Sequence, residues 1–299
     1  MSVDRRSAFV SKIVQIIFVT IAASVPLSAS LASGPQGLPS VTLSPGFTFF
    51  GGNLGRVIVF NAGQTPLSGA TLLVVDPNGA TTVSDSLPVV QPGTGSVVQF
   101  SLSTSGGTVS ITLPSGTNPC NVLPVLSIAE TSPTGPTVIV NQFPEHTFGF
   151  TGVNDEWIQC IPRRLGLGSK NGASASLTTG PLDVTSATSL SGTFASLALS
   201  NPANTANSYT INVVAVDSGQ VTSQKSVTVG GSATLITTLV LPSGPFLTVV
   251  CTNGTPVLLN LNLVQSALVG GQTQTTSEQH PEFDFTQSPR SFEDFYHCP

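Results

Sequence analysis

The chain has 299 residues, a formal net charge of −5, and only 8% charged residues, against roughly 25% in ordinary soluble proteins. Nine Lys and Arg are spread thinly against fourteen Asp and Glu, so the clustered cations that nucleic-acid binding requires are absent. With 39% hydrophobic residues the chain has material for a packed core, and the low charge does not read as disorder.

The first residues have the three parts of a secretory signal. Arg5, Arg6 and Lys12 precede the uncharged run IVQIIFVTIAASV, then Pro26, then the small-residue exit Ser30-Leu31-Ala32 before Ser33. The apolar run is shorter than the about 20 residues of a membrane span. Residues 1–32 are therefore expected to be removed as a signal peptide, with no membrane anchor in the mature chain. Export leaves six basic against thirteen acidic residues, a formal charge of −7. The expected location is extracellular, at a cell surface or in the periplasm.

Beyond the signal no segment has sustained helical periodicity. Short runs rich in Val, Thr, Ile, Leu and Phe recur instead, cut apart by Gly, Pro, Asn and Asp. In chain order they are RVIVFN (56–61), ATLLVVD (70–76), GSVVQFSL (95–102), TVSITL (108–113), TFASLALS (193–200), YTINVVAV (209–216), ATLITTLVL (233–241), FLTVVCT (246–252) and VLLNLNLV (257–264). β-Branched enrichment with closely spaced turn signals predicts an all-β sandwich or barrel. DPNG at 76–79 and DSG at 217–219 are turns in which Asn and Gly tolerate positive φ.

The order of these runs suggests a duplicated plan. Asp76 and Asp217 each close a Val-rich strand; GSVVQFSL corresponds to ATLITTLVL, with QPG before the first and VGG before the second. EHTFGFTGVNDEWIQCIP (145–162) has a counterpart in QHPEFDFTQSPRSFEDFYHCP (279–299), matching Phe148 to Phe283, Phe150 to Phe285 and Cys160 to Cys298. Each Phe pair, at i and i+2, belongs to one face of a strand. A closing structural element explains a repeated segment of this kind better than a duplicated active site does. The Gly-, Ser- and Thr-rich stretch 163–180 reads as a linker. Two consecutive antiparallel β-sandwiches are expected, over 40–162 and 181–299.

Cys120, Cys160, Cys251 and Cys298 are expected to form disulfides, as export favours. Four cysteines permit three pairings; the repeat favours Cys120–Cys160 and Cys251–Cys298, each closing a loop worth roughly 4 kcal/mol in the chain-entropy model. Metal ligation is the alternative, but no Cys-x-x-Cys or His-x-x-x-His spacing occurs.

No chemistry-bearing motif stands out. The histidines are His146, His280 and His297, and no Gly-x-Ser-x-Gly elbow, phosphate loop or dinucleotide fingerprint accompanies them. The acids Asp155, Glu156, Glu282, Asp284, Glu293 and Asp294 raise calcium as an alternative to solvated loop carboxylates, yet lack the Asp-x-Asp-x-Asp-Gly pattern. Trp157 and Tyr296 are candidate platforms for a sugar ring, weighed against buried packing beside a disulfide. Asn253-Gly254-Thr255 fits a glycosylation acceptor.

The run VIVFNAGQTPLSGATLLVVDPNG…LPVVQPGTGSVVQFSL resembles the small tandem immunoglobulin-like β-sandwich domains of exported bacterial proteins. Asn61 and Gly63, Asp76 and Gly79, and Pro92 and Gly93 fill that pattern's turn positions; Asn201, Asp217 and Gly219 do so in the second half, where Gly230-Gly231 replaces Pro-Gly. The resemblance implies fold without activity. The expectation is an exported, non-enzymatic structural or adhesive protein without cofactor, partnered by itself or by a cell-surface glycan; a carbohydrate-binding module, calcium-assisted or not, is the alternative.

Overall fold

The computed structural model describes residues 40–131, 137–144, 147–151, 176–184, 192–252, 255–269, 272–280 and 286–287. The first half of the chain supplies β1 (Val41–Ser44), β2 (Phe47–Phe49), β3 (Leu54–Asn61), β4 (Thr71–Val75), β5 (Thr81–Ser86), β6 (Gly95–Ser101), β7 (Gly106–Leu113), β8 (Val122–Thr131), β9 (Thr137–Phe143) and β10 (Gly149–Thr151). The second supplies β11 (Ser176–Thr178), β12 (Gly192–Ser200), β13 (Asn207–Ala215), β14 (Val221–Val229), β15 (Thr234–Thr238), β16 (Phe246–Cys251), β17 (Leu258–Val269), β18 (Gln272–His280) and β19 (Thr286–Gln287). A three-residue 3-10 turn, Pro119–Asn121, precedes β8. No helix among them is long and apolar enough to cross a membrane. The fold is all-β, as the composition predicts.

Four antiparallel sheets result. In the first half their orders are β10-β1-β7-β4-β5, with β2 also on β7, and β6-β3-β8-β9; in the second they are β14-β13-β16-β11-β19 and β15-β12-β17-β18. Substituting β11 for β1, β12 for β3 and so on through β19 for β10 gives the same two orders. The closing segments fall where this correspondence puts them. Thr151 in β10 pairs with Thr42 of β1, and Thr286 in β19 pairs with Thr178 of β11.

Turn chemistry repeats atom for atom at two asparagines. The Asn61 amide donates to the carbonyls of Thr65 and Val90 and its oxygen accepts from Gly63 N; the Asn201 amide donates to Thr205 and Val229 and its oxygen accepts from Ala203 N. Each side chain thus ties main-chain groups of its turn to one another. The second half's counterpart of Pro92-Gly93 is displaced by one residue from the sequence reading. Thr94 N bonds Gln91 O and Ala233 N bonds Gly230 O, which aligns Gly93 (φ 71°) with Ser232 (φ 54°). Gly231 is kept for space instead, since a Cβ there would lie 2.2 Å from Asn204 O.

Burial alternates on strands with one covered face, such as β1 and β4, but β8 and β16 are buried nearly throughout. The cause is a third core. Val57, Val59, Leu126 and Ile128 face the first half's core with Leu43, Leu72, Val109 and Ile111, whereas the second half packs Leu197, Ile211, Val250 and Leu261. The alternate residues Ile58, Phe60, Leu123 and Val125 meet Val214, Val216, Leu247 and Val249 of the second half. Sheet β6-β3-β8-β9 therefore packs on the first half's other sheet with one face and on β14-β13-β16-β11-β19 with the other. Gly95 permits the approach: its N–H donates to Val216 O at 2.6 Å, and a Cβ there would lie 2.1 Å from Val216 Cγ1.

The stretch 163–180 is not a linker throughout. Ser176, Leu177 and Thr178 form the fully buried β11, between β16 and β19, and Thr179 and Gly180 are buried after it. Small hydroxyl residues suit a strand inside tightly packed layers, where Thr179 Oγ1 accepts from Thr248 N and donates to Gly180 O. The second half's first described strand is thus at Ser176, inside that stretch, and residues 163–175 lie outside the described residues.

Candidate functional site

Two gatherings of polar groups among the described residues bear on function. The first is a cleft of about 430 Å3 at one end of the first half, between the segment following β3 and the excursion joining β7 to β8. Its floor is the buried pair Leu67 and Val122; its walls include Ser68 on one side and Ser115, Thr117, Asn118 and Asn121 on the other. Backbone bonds hold both walls. Leu67 and Val90 exchange N–H···O bonds at 2.9 Å, Ala62 N donates to Asn121 O at 2.7 Å, and Thr117 N closes a turn on Pro114 O. Asn118 Oδ1 accepts from Cys120 N and caps the 3-10 turn. No lining residue carries a formal charge.

The second is buried between the halves. Arg56, on the β3 face that carries Ile58 and Phe60, places one guanidinium nitrogen 2.7 and 2.9 Å from the two oxygens of Asp183. Asp183 follows β11, and its side chain is wholly buried. Its backbone is clasped as well: Gln142 of β9 accepts from Asp183 N and donates to Asp183 O, and Gln265 of β17 donates to the same oxygen. Ser127 stands opposite Arg56 in the β3–β8 register. Burial pushes the Asp183 carboxyl up from 3.8 to about 6, with Arg56 and Ser127 opposing the rise and Glu278 adding to it. A carboxyl titrating near neutrality is a signature of catalytic acids. Here its cause is the burial of a carboxylate that is ion-paired to Arg56.

Of the residues singled out in the sequence, His280 ends β18 and is buried, its Nε2 3.6 Å from Glu278 Oε2. This histidine does sit beside a carboxylate, but neither lines the cleft. Neither Cys120 nor Cys251 is a free thiol. They are not equivalent in the fold, for Cys120 is in the 3-10 turn and Cys251 is the last residue of β16. Phe148 is buried in the first core. Trp157, Tyr296, Cys160, Cys298, His146, His297, Asn253 and the acids at 155, 156, 282, 284, 293 and 294 lie outside the described residues. Among the described residues no three His, Cys, Asp or Glu side chains gather as a metal site.

Arg56 and Asp183 escaped the sequence reading although each carries a signal. Arg56 is a lone charge leading RVIVF, and Asp183 is a lone charge between Leu182 and Val184. An isolated charge in an apolar run asks for a partner, but its identity, 127 residues away, is not in the local pattern.

No protein-family model matches this sequence, and no curated protein matches it. Among solved structures the chain is similar to a lectin of Pleurotus ostreatus in its apo form, at 11% identity, over 83% of this chain and 77% of that one. The TM-score of 0.24 is too low for this likeness to carry an argument about fold or function.

Proposed function

We propose that the chain is an exported, non-enzymatic structural or adhesive protein of a cell surface or the extracellular medium, built of two duplicated immunoglobulin-like sandwiches behind a cleaved signal peptide. The observation that carries this reading is the third core. Eight apolar side chains of Ile58, Phe60, Leu123, Val125, Val214, Val216, Leu247 and Val249, each no more than 5% exposed, join the halves. Ordinary tandem domains move against each other unless their interface is large and apolar. A rigid body of this kind suits a spacer or scaffold that presents its ends and edges to partners. Exposed apolar side chains supply contact area, notably Phe47 and Phe49 in edge-to-face contact at 5.4 Å on β2, and Ile236 on edge strand β15. Disulfides Cys120–Cys160 and Cys251–Cys298 belong to the same proposal and are checked by non-reducing peptide mapping.

The functional test uses beads coated with the exported chain, applied to host cells and to beads carrying the same chain. Adhesion to either surface above an inert β-sandwich control is expected. Absence of adhesion to both, with a monomer persisting across a concentration series in size-exclusion chromatography, argues against the adhesive reading.

A further inference from the structure

The cleft at the end of the first half opens between two loops whose main chain is held in place. We infer that it binds a neutral polyhydroxylated ligand, a carbohydrate bearing no charged group; this deepens the adhesive reading above and rests on it. Three features of the cleft lead there. Its size, about 430 Å3, lies in the range of small-molecule sites, roughly 300–1,000 Å3. Its lining pairs an apolar floor, Leu67 and Val122, with hydroxyl and amide walls. A sugar ring has the same two-sided chemistry, with C–H groups on its face and hydroxyls at its edge. Finally, no lining side chain is charged, and the chain as a whole is acidic, at −5. Anionic sugars meet repulsion with no cation in the site to offset it.

The two loops that form the walls are already ordered by main-chain bonds. Ala62 N to Asn121 O crosses from one wall to the other, and the Asn61 amide pins Thr65 and Val90 behind the floor. Ligand binding then avoids much of the cost of ordering loops. The wall carrying Ser115 to Asn121 exists because eight residues join β7 to β8, where six join β16 to β17. The extra length forms the capped 3-10 turn that encloses the cleft.

The test is a panel of immobilised oligosaccharides: neutral hexose and N-acetylhexosamine oligomers beside sialylated and phosphorylated ones. The full exported chain is expected to be retained on at least one neutral member, with retention unchanged in molar salt because no charge is screened. Ser68→Trp and Ser115→Trp, on opposite exposed walls, are each expected to weaken that retention at least about tenfold, the equivalent of about 1.4 kcal/mol, at an unchanged thermal midpoint. Retention of equal strength by both variants, retention on charged sugars alone, or none on neutral sugars at millimolar concentration overturns the assignment. If the sugar panel fails while bead adhesion persists, the cleft is excluded and the adhesive reading stands. If both fail, the adhesive reading falls and the cleft assignment with it.

Discussion

Replacing Arg56 by Ala removes the cation that faces Asp183 and leaves a carboxyl with no exposed surface. Removing one partner of a buried ion pair costs about 3–5 kcal/mol because the other charge remains desolvated. That cost must depend on pH, and its sign follows from Asp183. Its value in the folded chain is raised from 3.8 to about 6, chiefly by burial. Between those values the folded chain holds a proton that the unfolded chain releases. This group's favourable contribution is therefore fully present below pH 3.8 and is lost as pH rises to about 6. Over that interval of about two units the loss is about 3 kcal/mol, at 1.36 kcal/mol per unit. Without Arg56 the folded value moves higher still and the loss continues past pH 6. Urea unfolding of the wild type, Arg56→Ala, Asp183→Asn and the double variant at about pH 4, 6 and 8 checks this. The Arg56→Ala penalty should be small at pH 4 and approach its full size at pH 8. Asp183→Asn should flatten the wild-type decline, and the double variant should cost less than Arg56→Ala at pH 8. An Arg56→Ala penalty of equal size at pH 4 and pH 8 would refute the reasoning.

Further substitutions probe the packing and turns. Gly95→Ala places a methyl against Val216; a loss of about 1–3 kcal/mol is expected, partly recovered by adding Val216→Ala, and a double-mutant cycle by urea unfolding measures the coupling. Asn61→Ala and Asn201→Ala each remove the side-chain acceptor of a turn N–H and the amide that bridges turn carbonyls, and should each cost about 1–3 kcal/mol, the two penalties adding because the sites share no partners. Ser232→Gly relieves a left-handed backbone at φ 54° and should stabilise by up to about 1 kcal/mol, seen as a higher thermal midpoint; a lower midpoint would count against the strain.

Strands with one face in a core were legible in the amino-acid order, because apolar residues alternate along them or run together. RVIVFN, TVSITL and FLTVVCT became β3, β7 and β16 with ends shifted by no more than two residues. The edge strands β5, β14 and β18, reading TTVSDS, VTSQKSVTV and QTQTTSEQH, were missed. Each turns at least one mostly exposed polar face to solvent, so little in its pattern separates it from polar loop. They are strands only because a neighbour's ladder accepts them. β11 was hidden for another reason: it is fully buried, but two of its three residues carry hydroxyls and it lies in a Gly- and Ser-rich stretch.

Local order alone determined that this chain makes antiparallel sheets and where several of its turns fall. Those properties follow from side-chain period and from φ preferences, which act over a few residues. Only the tertiary structure decided that Ile58 and Phe60 pack against Val249 and Leu247 while Val57 and Val59 turn away into another core. Only it brought Arg56 to Asp183 and set Ser68 across from Ser115. An uninterrupted apolar strand shows that both its faces are covered. Which surface covers each face depends on shape and on desolvation across distant parts of the chain, which no local window contains.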